Sequence, residues 1–449
     1  MPVAVTLYHK DLHRSGSGTI LQNNRSAKCS LPGHTAAAFS TVRVLAAIVK
    51  RAQSLNPHEI GGIDMLGLTE PKQNFAGGRT IVELTNSVLP TIAQRAASVD
   101  ESNTFVGENY ALLKESGLVR AGVPIELGGL GAEVPELSEM LKSIARACGS
   151  TALAFSMHTH QVAIPAWRWR HQKVAAVEPL LRRVASEQII LLSSGGSDWI
   201  DGSGKAMKVD GGYRITARKR FTSGAAAGNI LMTGAVYEEQ DGARSVIHFG
   251  VPMASPEVSI EDTWRTLGMR GTGSNDVIIE NLFVPDASVA FSRSAGQWHP
   301  VFQVIGMIAF PLIYAVYLGV AESARDIAVK MVRSKANSDH VIGLAGRMET
   351  SLRAAQIAHR WMLEVVARNE PSAETVNEVM IGRSLVARHA IEVTELAMEV
   401  AGGAAFYREN GLERCFRDIQ GARYHPMQPG AQAQYAGSFA LGLPTEKIF

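Results

Sequence analysis

The hydrophobic pattern changes its period twice along this chain of 449 residues, and that change most constrains the fold. From Ile81 onward, apolar residues recur three and four positions apart, which is the spacing of one helix face. Between Ile189 and Val284 the apolar runs become short and are separated by Gly, Asp and Asn. After Pro300 the helical spacing returns and persists. The order predicts a mainly α protein with a small β domain in its middle.

These changes divide the chain into four parts. A leader, 1–79, mixes Gly, Ser, Asn and Pro, and we can assign it no function. Residues 80–185 are predicted to form an N-terminal helical domain. Residues 186–290 are predicted to form an antiparallel β domain, a barrel, because Gly-rich turns suited to hairpins separate its strands. Residues 291–449 are predicted to form an antiparallel helical bundle, since long helices with few breaks pack in that way.

The predicted elements of the last two parts are specific enough to compare with a structure. The β-rich runs are Ile189–Ser193, Ala206–Val209, Tyr213–Ala217, Ile230–Val236, Val246–Pro252 and Val277–Val284. The long helical runs are Phe302–Val332, Gly343–Asn369 and Thr375–Ala401.

Composition excludes several classes of function. The chain has 44 basic and 42 acidic residues with no long run of one sign, so we expect no nucleic-acid partner. Its three cysteines lie far apart with no CxxC pair, which indicates neither disulfides nor a metal site and favours a reducing cytoplasm. Secretion is not expected, because the N-terminus lacks the pattern of a signal peptide. The longest apolar stretch, Val301–Val320, contains Gln303 and Pro311, so we expect a buried helix and no membrane partner.

Two motifs point to one family. The segment Leu118–Gly131 reads LVRAGVPIELGGLG, and the segment Arg265–Asp276 reads RTLGMRGTGSND. Both resemble segments of the acyl-CoA dehydrogenase superfamily, the second closely, and the resemblance spans about residues 80–449. It implies that family's fold, with an N-terminal helical domain, a middle antiparallel β-barrel and a C-terminal four-helix bundle. It also implies a flavin cofactor, oxidoreductase activity and assembly as a homodimer or homotetramer.

Further segments resemble the flavin-facing part of the family's β domain. They read LLSSGGSD at Leu191–Asp198 and KRFTSG at Lys219–Gly224. Hydroxyl groups at strand ends suit hydrogen bonds to a flavin, and glycine permits close approach. A late segment, Ala401–Phe406, resembles another part of the family's signature. The flavin contacts that the resemblance implies are Ser193, Ser194, Gly196, Ser197, Phe221, Thr222, Ser223, Gly402 and Gly403.

The chain departs from the dehydrogenases at the catalytic base. In those enzymes a glutamate follows a late Arg-Asp pair, which corresponds here to Arg417 and Asp418, and removes the substrate's α-proton. Here the equivalent stretch, Arg423–Met427, reads RYHPM, and the family's other placement of the base falls on the apolar Met307–Leu312. Dehydrogenation next to a flavin requires a base of suitable pKa. Neither position supplies a carboxylate.

A monooxygenase branch of the same fold makes this replacement. The chain is similar to that branch (group D, dibenzothiophene monooxygenase-like), whose members take reduced flavin from a partner reductase and use oxygen. The matching positions are His158, Ser223 and His425, which the resemblance implies are catalytic; His160 competes with His158 for its role. We therefore predict a two-component monooxygenase acting on a small apolar or aromatic molecule. The alternatives are an acyl-CoA dehydrogenase with an unassigned base and a non-catalytic flavin-binding descendant.

The sequence leaves open whether the flavin is FAD or FMN. The dehydrogenases hold the adenylate half of FAD with an Arg-Lys-x-Phe-Gly run and a late glutamine. Here the first region, Val332–Ser338, reads VRSKANS, and Glu399 stands near the place of the glutamine. Since a carboxylate repels pyrophosphate, FMN is a plausible cofactor.

Overall fold

A computed structural model describes residues 79–198, 201–334 and 338–445, except for the side chain of Ser197. The predicted leader therefore lies outside the described residues, apart from Arg79. The helices that precede the sheet are α1 (Ile81–Ser102), α2 (Gly107–Glu115), α3 (Val134–Ala147), α4 (Gly149–Gln172) and α5 (Glu178–Glu187).

The first helices follow from their sequences. Helix α1 begins at Thr80, whose hydroxyl accepts the Glu83 amide hydrogen while the Glu83 carboxylate accepts the Thr80 amide hydrogen. This reciprocal pairing satisfies amide groups that a helix start leaves free. Helix α4 is buried on nearly all sides from Gly149 to Trp167. A helix of that kind forms the centre of a domain.

The middle of the chain forms one eight-stranded sheet. Its strands are β1 (Leu191–Ser193), β2 (Lys205–Val209), β3 (Gly212–Lys219), β4 (Ile230–Glu238), β5 (Arg244–Pro252), β6 (Val258–Glu261), β7 (Asp276–Pro285) and β8 (Phe291–Ser294). They pair in the order β6-β7-β3-β2-β4-β5-β8, and β1 pairs with β4. Most pairs are antiparallel as predicted, but β4 pairs in parallel with both β1 and β2. The sequence prediction missed β6 and β8.

The C-terminal part is helical. Its helices are α6 (Val301–Val332), α7 (Asp339–Ala367), α8 (Ala373–Ala401), α9 (Leu412–Ile419) and α10 (Pro429–Ala440). Helix α6 is long and apolar enough to cross a membrane by length and composition, but its most apolar window is 94% buried in the protein. It is therefore the core helix of the bundle, which confirms the prediction of a buried helix.

The segment with the most specific motif joins the two helical parts. Arg417, at the end of α9, makes a bidentate ion pair with Asp100 of α1, with Nη1 3.0 Å from Oδ1 and Nη2 2.5 Å from Oδ2. The same guanidinium donates to the Leu267 carbonyl oxygen at 3.2 Å. The carboxylate of Asp418 accepts the amide hydrogen of Met269. The 265–276 segment is thus fixed between α1 and α9.

Candidate functional site

The two loops that resemble the flavin-facing segments lie side by side. The Gly195 amide donates to the Arg220 carbonyl oxygen at 2.9 Å. A Cβ atom at Gly195 would lie 3.1 Å from the Phe221 ring, so the two loops are in close contact. A Cβ at Gly196 would overlap the ring of Pro426. The first loop therefore also contacts the segment that contains His425.

The 265–276 segment supports the second loop. The amide of Thr222 donates to the Asn275 carbonyl oxygen at 3.2 Å, and the amide of Gly224 donates to the Thr272 carbonyl oxygen at 2.9 Å. The hydroxyl groups of Ser223 and Ser274 lie 2.8 Å apart. The motif that identifies the chain by sequence therefore holds the predicted flavin loop in place.

Phe221, in the second loop, has an unusual backbone conformation and an exposed side chain. Its backbone φ is 56°, in the left-handed region, and its side chain is 60% exposed. Its ring contacts Trp264 edge to face, with 6.1 Å between ring centroids. A bulky residue with positive φ costs free energy, and such residues concentrate at functional sites.

A buried ion pair between Lys219 and Asp198 holds the first loop. Lys219, fully buried, lies 3.1 Å from the Asp198 carboxylate and donates to the Gly234 carbonyl oxygen at 2.6 Å. The hydroxyl of Ser194 donates to the same carboxylate. Burial lowers the pKa of Lys219, and Asp198 opposes that shift. A buried charge persists only where it is paired and hydrogen-bonded, as it is here.

His158 has both ring nitrogens occupied by backbone groups. Its Nδ1 accepts the Leu191 amide hydrogen at 3.0 Å, so its Nε2 carries the proton and donates to the Val119 carbonyl oxygen at 2.8 Å. Burial lowers its pKa to about 4. These contacts fix β1 to α4 and favour a structural role. The catalytic role that the resemblance implies for His158 stays a prediction.

His425 lies next to aromatic and basic groups. Its ring is half-buried, and its centroid is 5.6 Å from that of Tyr317 on α6. Burial, with contributions from Arg383 and His160, lowers its pKa to about 4. Burial also lowers the pKa of His160 to about 4, and the His160 Nδ1 lies 3.0 Å from the Ser156 carbonyl oxygen. Both rings are therefore neutral at pH 7.

Arg383 was missed by the sequence analysis, although it holds the segment of His425. Its Nη2 donates to the carbonyl oxygens of Ala422 at 3.1 Å and His425 at 2.9 Å. Its guanidinium lies over the Tyr314 ring, 4.9 Å from the centroid. The sequence contains a signal for it, because Arg383 interrupts the apolar stripe of α8 between Val379 and Val386.

The remaining predicted contacts are separate from this cluster. Gly402 and Gly403 follow the end of α8, and no other residue of the described structure lies within 4 Å of a Cβ atom built on either. Gly402 has a φ of 65° and a ψ of −153°, which favours glycine. Ser197 lies in the short turn Gly196–Asp198, and its side chain is outside the description. The roles predicted for all the site residues stay predictions.

Three family models match consecutive parts of the chain. They are the N-terminal domain of acyl-CoA dehydrogenase at residues 84–182, the middle domain at 193–282 and the C-terminal domain at 312–428. The chain belongs to the acyl-CoA dehydrogenase family. The family and fold class predicted from the sequence are confirmed, and so are the enzyme class and the cofactor class, a flavin-dependent oxidoreductase.

Similar proteins include a nitrososynthase and a monooxygenase. L-evernosamine nitrososynthase from Micromonospora is 26% identical over 398 residues, which cover 83% of this chain and 92% of the relative. Dibenzothiophene monooxygenase from Mycolicibacterium goodii is 27% identical, with coverage of 76% and 88%. The solved structure of KijD3 in complex with FMN and a dTDP-amino sugar superposes with a TM-score of 0.75 at 25% identity, covering 83% of this chain and 95% of that one.

Proposed function

We propose that this protein is the oxygenase of a two-component monooxygenase, which takes reduced flavin from a separate reductase and oxygenates a small apolar or aromatic molecule. The observation that carries the proposal is the electrostatic surroundings of His425. The groups that shift its pKa, apart from burial, are the basic Arg383 and His160. A dehydrogenase of this family carries a carboxylate base either in this segment or early in the bundle. Here His425 occupies the first place, and the apolar Met307–Leu312 occupies the second.

The described residues fit a flavin. The loops around Gly195 and Phe221 contact each other, and an exposed aromatic side chain stands at their front. Such a surface suits a flat ring system, and the Thr222–Gly224 loop is held rigidly by the segment behind it. The FMN in the KijD3 complex and the departure at Glu399 both favour FMN over FAD.

When bound, reduced flavin supplies the two electrons that activate oxygen. The chain's own residues then orient the substrate and handle its protons. His425, neutral at pH 7, can donate one hydrogen bond and accept another. Arg383 fixes the backbone of His425, and the apolar helix α6 with Tyr317 excludes water on one side. The apolar and aromatic side chains next to His425 suit an apolar or aromatic substrate.

Assembly and location complete the proposal. We assign a homodimer or homotetramer in the cytoplasm, with a flavin reductase as a functional partner. The support for assembly is two pairs of exposed apolar side chains, Phe406 with Tyr407 after α8 and Leu441 with Leu443 after α10. Exposed apolar surface of this kind suits a contact between proteins.

The test supplies reduced FMN without oxygen, then adds ¹⁸O₂ together with indole or dibenzothiophene as probe substrates. We expect ¹⁸O in the product by mass spectrometry, dependent on both reduced FMN and the protein. A parallel anaerobic titration with butyryl-CoA and octanoyl-CoA should leave oxidised bound flavin unbleached. Bleaching by acyl-CoA without ¹⁸O incorporation would indicate a dehydrogenase instead. If the protein binds flavin but both reactions are absent, the result would indicate a non-catalytic binding protein.

A further inference from the structure

A chain of hydroxyl groups behind the predicted flavin loop has a fixed direction. The Thr272 hydroxyl donates its one hydrogen to the Met269 carbonyl oxygen at 2.9 Å. Its oxygen lies 2.7 Å from the Ser274 hydroxyl, so Ser274 must donate in that contact. The Ser274 hydroxyl lies 2.8 Å from the Ser223 hydroxyl, but the Ser274 hydrogen is already donated to Thr272. Ser223 therefore donates inward.

We call the hydroxyl groups of Thr272, Ser274 and Ser223 the relay. The direction of its hydrogen bonds is set at its inner end, Thr272. The Met269 carbonyl oxygen also accepts the indole N–H of Trp264 at 3.1 Å and the Thr272 amide hydrogen at 3.1 Å. A carbonyl oxygen can only accept. If the Thr272 hydrogen pointed away, two oxygens would face each other at 2.9 Å with no hydrogen between them, which is unfavourable.

The loop has no other hydrogen to offer from Thr222 to Gly224. The amides of Thr222, Ser223 and Gly224 all donate to carbonyl oxygens, those of Asn275, Phe221 and Thr272. The Thr222 hydroxyl donates to the Lys219 carbonyl oxygen at 3.2 Å. Ser223 is 8% exposed, so part of this residue can be reached from outside. What this stretch offers to a ligand is the lone pairs of the Ser223 oxygen.

The neighbouring loop shows the same arrangement at Ser194. Its hydroxyl donates to the Oδ2 atom of Asp198, and the same oxygen accepts from Lys219 and from the Thr233 hydroxyl, each at 3.1 Å. Two serines on adjacent loops thus turn their hydrogens into the protein. Each leaves an oxygen as a hydrogen-bond acceptor.

We propose that Thr272 and Ser274 are positioning residues that turn Ser223 into an acceptor, so that the site selects reduced flavin over oxidised flavin. The inference rests on the proposed flavin site. If the central nitrogen of a bound isoalloxazine ring lay against Ser223, its N–H in the reduced ring would be accepted by the serine oxygen. In the oxidised ring that nitrogen would carry only a lone pair, which the lone pairs of the serine oxygen would repel.

The experiment measures the dissociation constants of oxidised FMN, by fluorescence, and of reduced FMN, by anaerobic titration. Wild-type protein should bind reduced FMN more tightly. In Ser274→Ala the Ser223 hydrogen loses its acceptor and can turn outward. The ratio of oxidised to reduced dissociation constants should then fall about tenfold, which lowers the two-electron potential of bound flavin by about 30 mV.

Further variants separate the relay from general damage. Ser274→Thr keeps the hydroxyl and should restore the wild-type ratio. Thr272→Val removes the inner end of the relay and should lower the ratio as Ser274→Ala does. If one of these two variants folds poorly, the other still tests the relay. Ser223→Ala should weaken binding of reduced FMN alone. Thr394→Val, which removes a buried hydroxyl that bonds only within α8, is the matched control and should leave the ratio unchanged.

The outcomes also separate this inference from the proposed function. A wild-type preference for oxidised FMN, or a wild-type ratio in both Ser274→Ala and Thr272→Val, overturns the relay. Failure to bind either form overturns the flavin site and the relay together. The expected shift in an enzyme that incorporates no ¹⁸O supports the relay and rejects only the monooxygenase.

Discussion

At the scale of single residues, Arg383 shows how a buried charge can organise a site. It is fully buried, and within the described residues its hydrogen bonds go to the carbonyl oxygens of Ala422 and His425 and to Ser384, not to a carboxylate. The Tyr314 ring supplies a further favourable contact for the planar cation. A guanidinium suits two carbonyl oxygens because its donors lie in a fixed fork.

Arg383→Lys should therefore disturb the site more than a conservative exchange usually does. An ammonium lacks the planar fork of donors that serves both carbonyl oxygens. Ala422 keeps the Tyr314 hydroxyl as a donor at 2.9 Å, but the His425 carbonyl oxygen can lose its partner, which costs about 1–3 kcal/mol of stability. We expect a lower urea midpoint and a substrate KM that rises while flavin binding stays near wild type. Arg388→Lys, on the exposed side of the same helix, is the control. Equal urea midpoints for the two variants would contradict the role given to Arg383.

His425 carries the second prediction at this scale. His425→Ala should abolish turnover because no other described group replaces its ring beside Tyr317, while flavin binding stays largely intact. His425→Gln, which can hydrogen-bond but cannot take up a proton, should separate orientation from proton transfer. His340→Ala, at an exposed position, is the control for loss of a histidine. Unchanged activity in His425→Ala would remove this residue from the mechanism.

The sequence could predict only part of this site. The loops around Ser194 and Ser223 were found because their residues are contiguous and resemble a family signature. The contacts of His158 with Val119 and Leu191 could not be found in this way, because its partners are backbone atoms distant in sequence. A local motif identifies a side chain, but the direction of its hydrogen bonds depends on the fold.

At the scale of elements, the long helices were predicted within a few residues of their observed ends, while the sheet was predicted less well. Strands β6 and β8 are short, and half-buried to exposed side chains dominate both. They lie at the two ends of the strand order, where one neighbour is missing and the hydrophobic signal is weak. The parallel pairing of β4 with β1 is a contact between distant segments, which no local pattern encodes.

The junction between the 265–276 segment and α9 leads to a prediction about packing. A Cβ atom at Gly268 would overlap the Arg417 carbonyl group and lie 2.6 Å from the Asp418 amide nitrogen. Because backbone cannot yield as a flexible side chain does, Gly268→Ala should destabilise the protein by at least ~2 kcal/mol. It should also weaken flavin binding, since this segment holds the Ser223 loop.

Gly343→Ala is the matched control for that substitution. Gly343 lies on the exposed side of α7, and no atom lies within 4 Å of a Cβ built there. Alanine should stabilise this helix by about 0.5–1 kcal/mol, because it loses less backbone entropy than glycine. Urea unfolding of both variants tests the pair. Similar effects of the two substitutions would show that the close contact at Gly268 is relieved by movement.

At the scale of the whole molecule, the buried neutral histidines make the stability of the fold depend on pH. Burial lowers the pKa of His158, His160, His359 and His425 to about 4 and that of His248 to about 3. In the unfolded chain a histidine has a pKa of about 6.5. Below that pH the unfolded chain binds more protons than the folded protein, so stability falls as the pH falls from about 6.5 towards 4.

One buried carboxyl group works in the opposite direction. Burial raises the pKa of Asp418 to about 6, so the folded protein takes up that proton first, and the contribution of Asp418 to stability grows as the pH falls below about 6. Since the histidines outnumber it, the net effect is acid destabilisation. We expect the free energy of unfolding in urea to fall by at least ~2 kcal/mol between pH 7 and pH 5.

A single substitution isolates one histidine in this balance. His158→Gln keeps a donor and an acceptor for the Val119 carbonyl oxygen and the Leu191 amide but cannot be protonated in this range. The slope of unfolding free energy against pH should then decrease by up to ~1.4 kcal/mol per pH unit, the value for one proton. His340→Gln, an exposed histidine, should leave the slope unchanged. A wild-type slope in His158→Gln would mean that His158 takes up a proton in the folded protein as readily as in the unfolded chain. Its two backbone hydrogen bonds would then have to be broken or rearranged near pH 6.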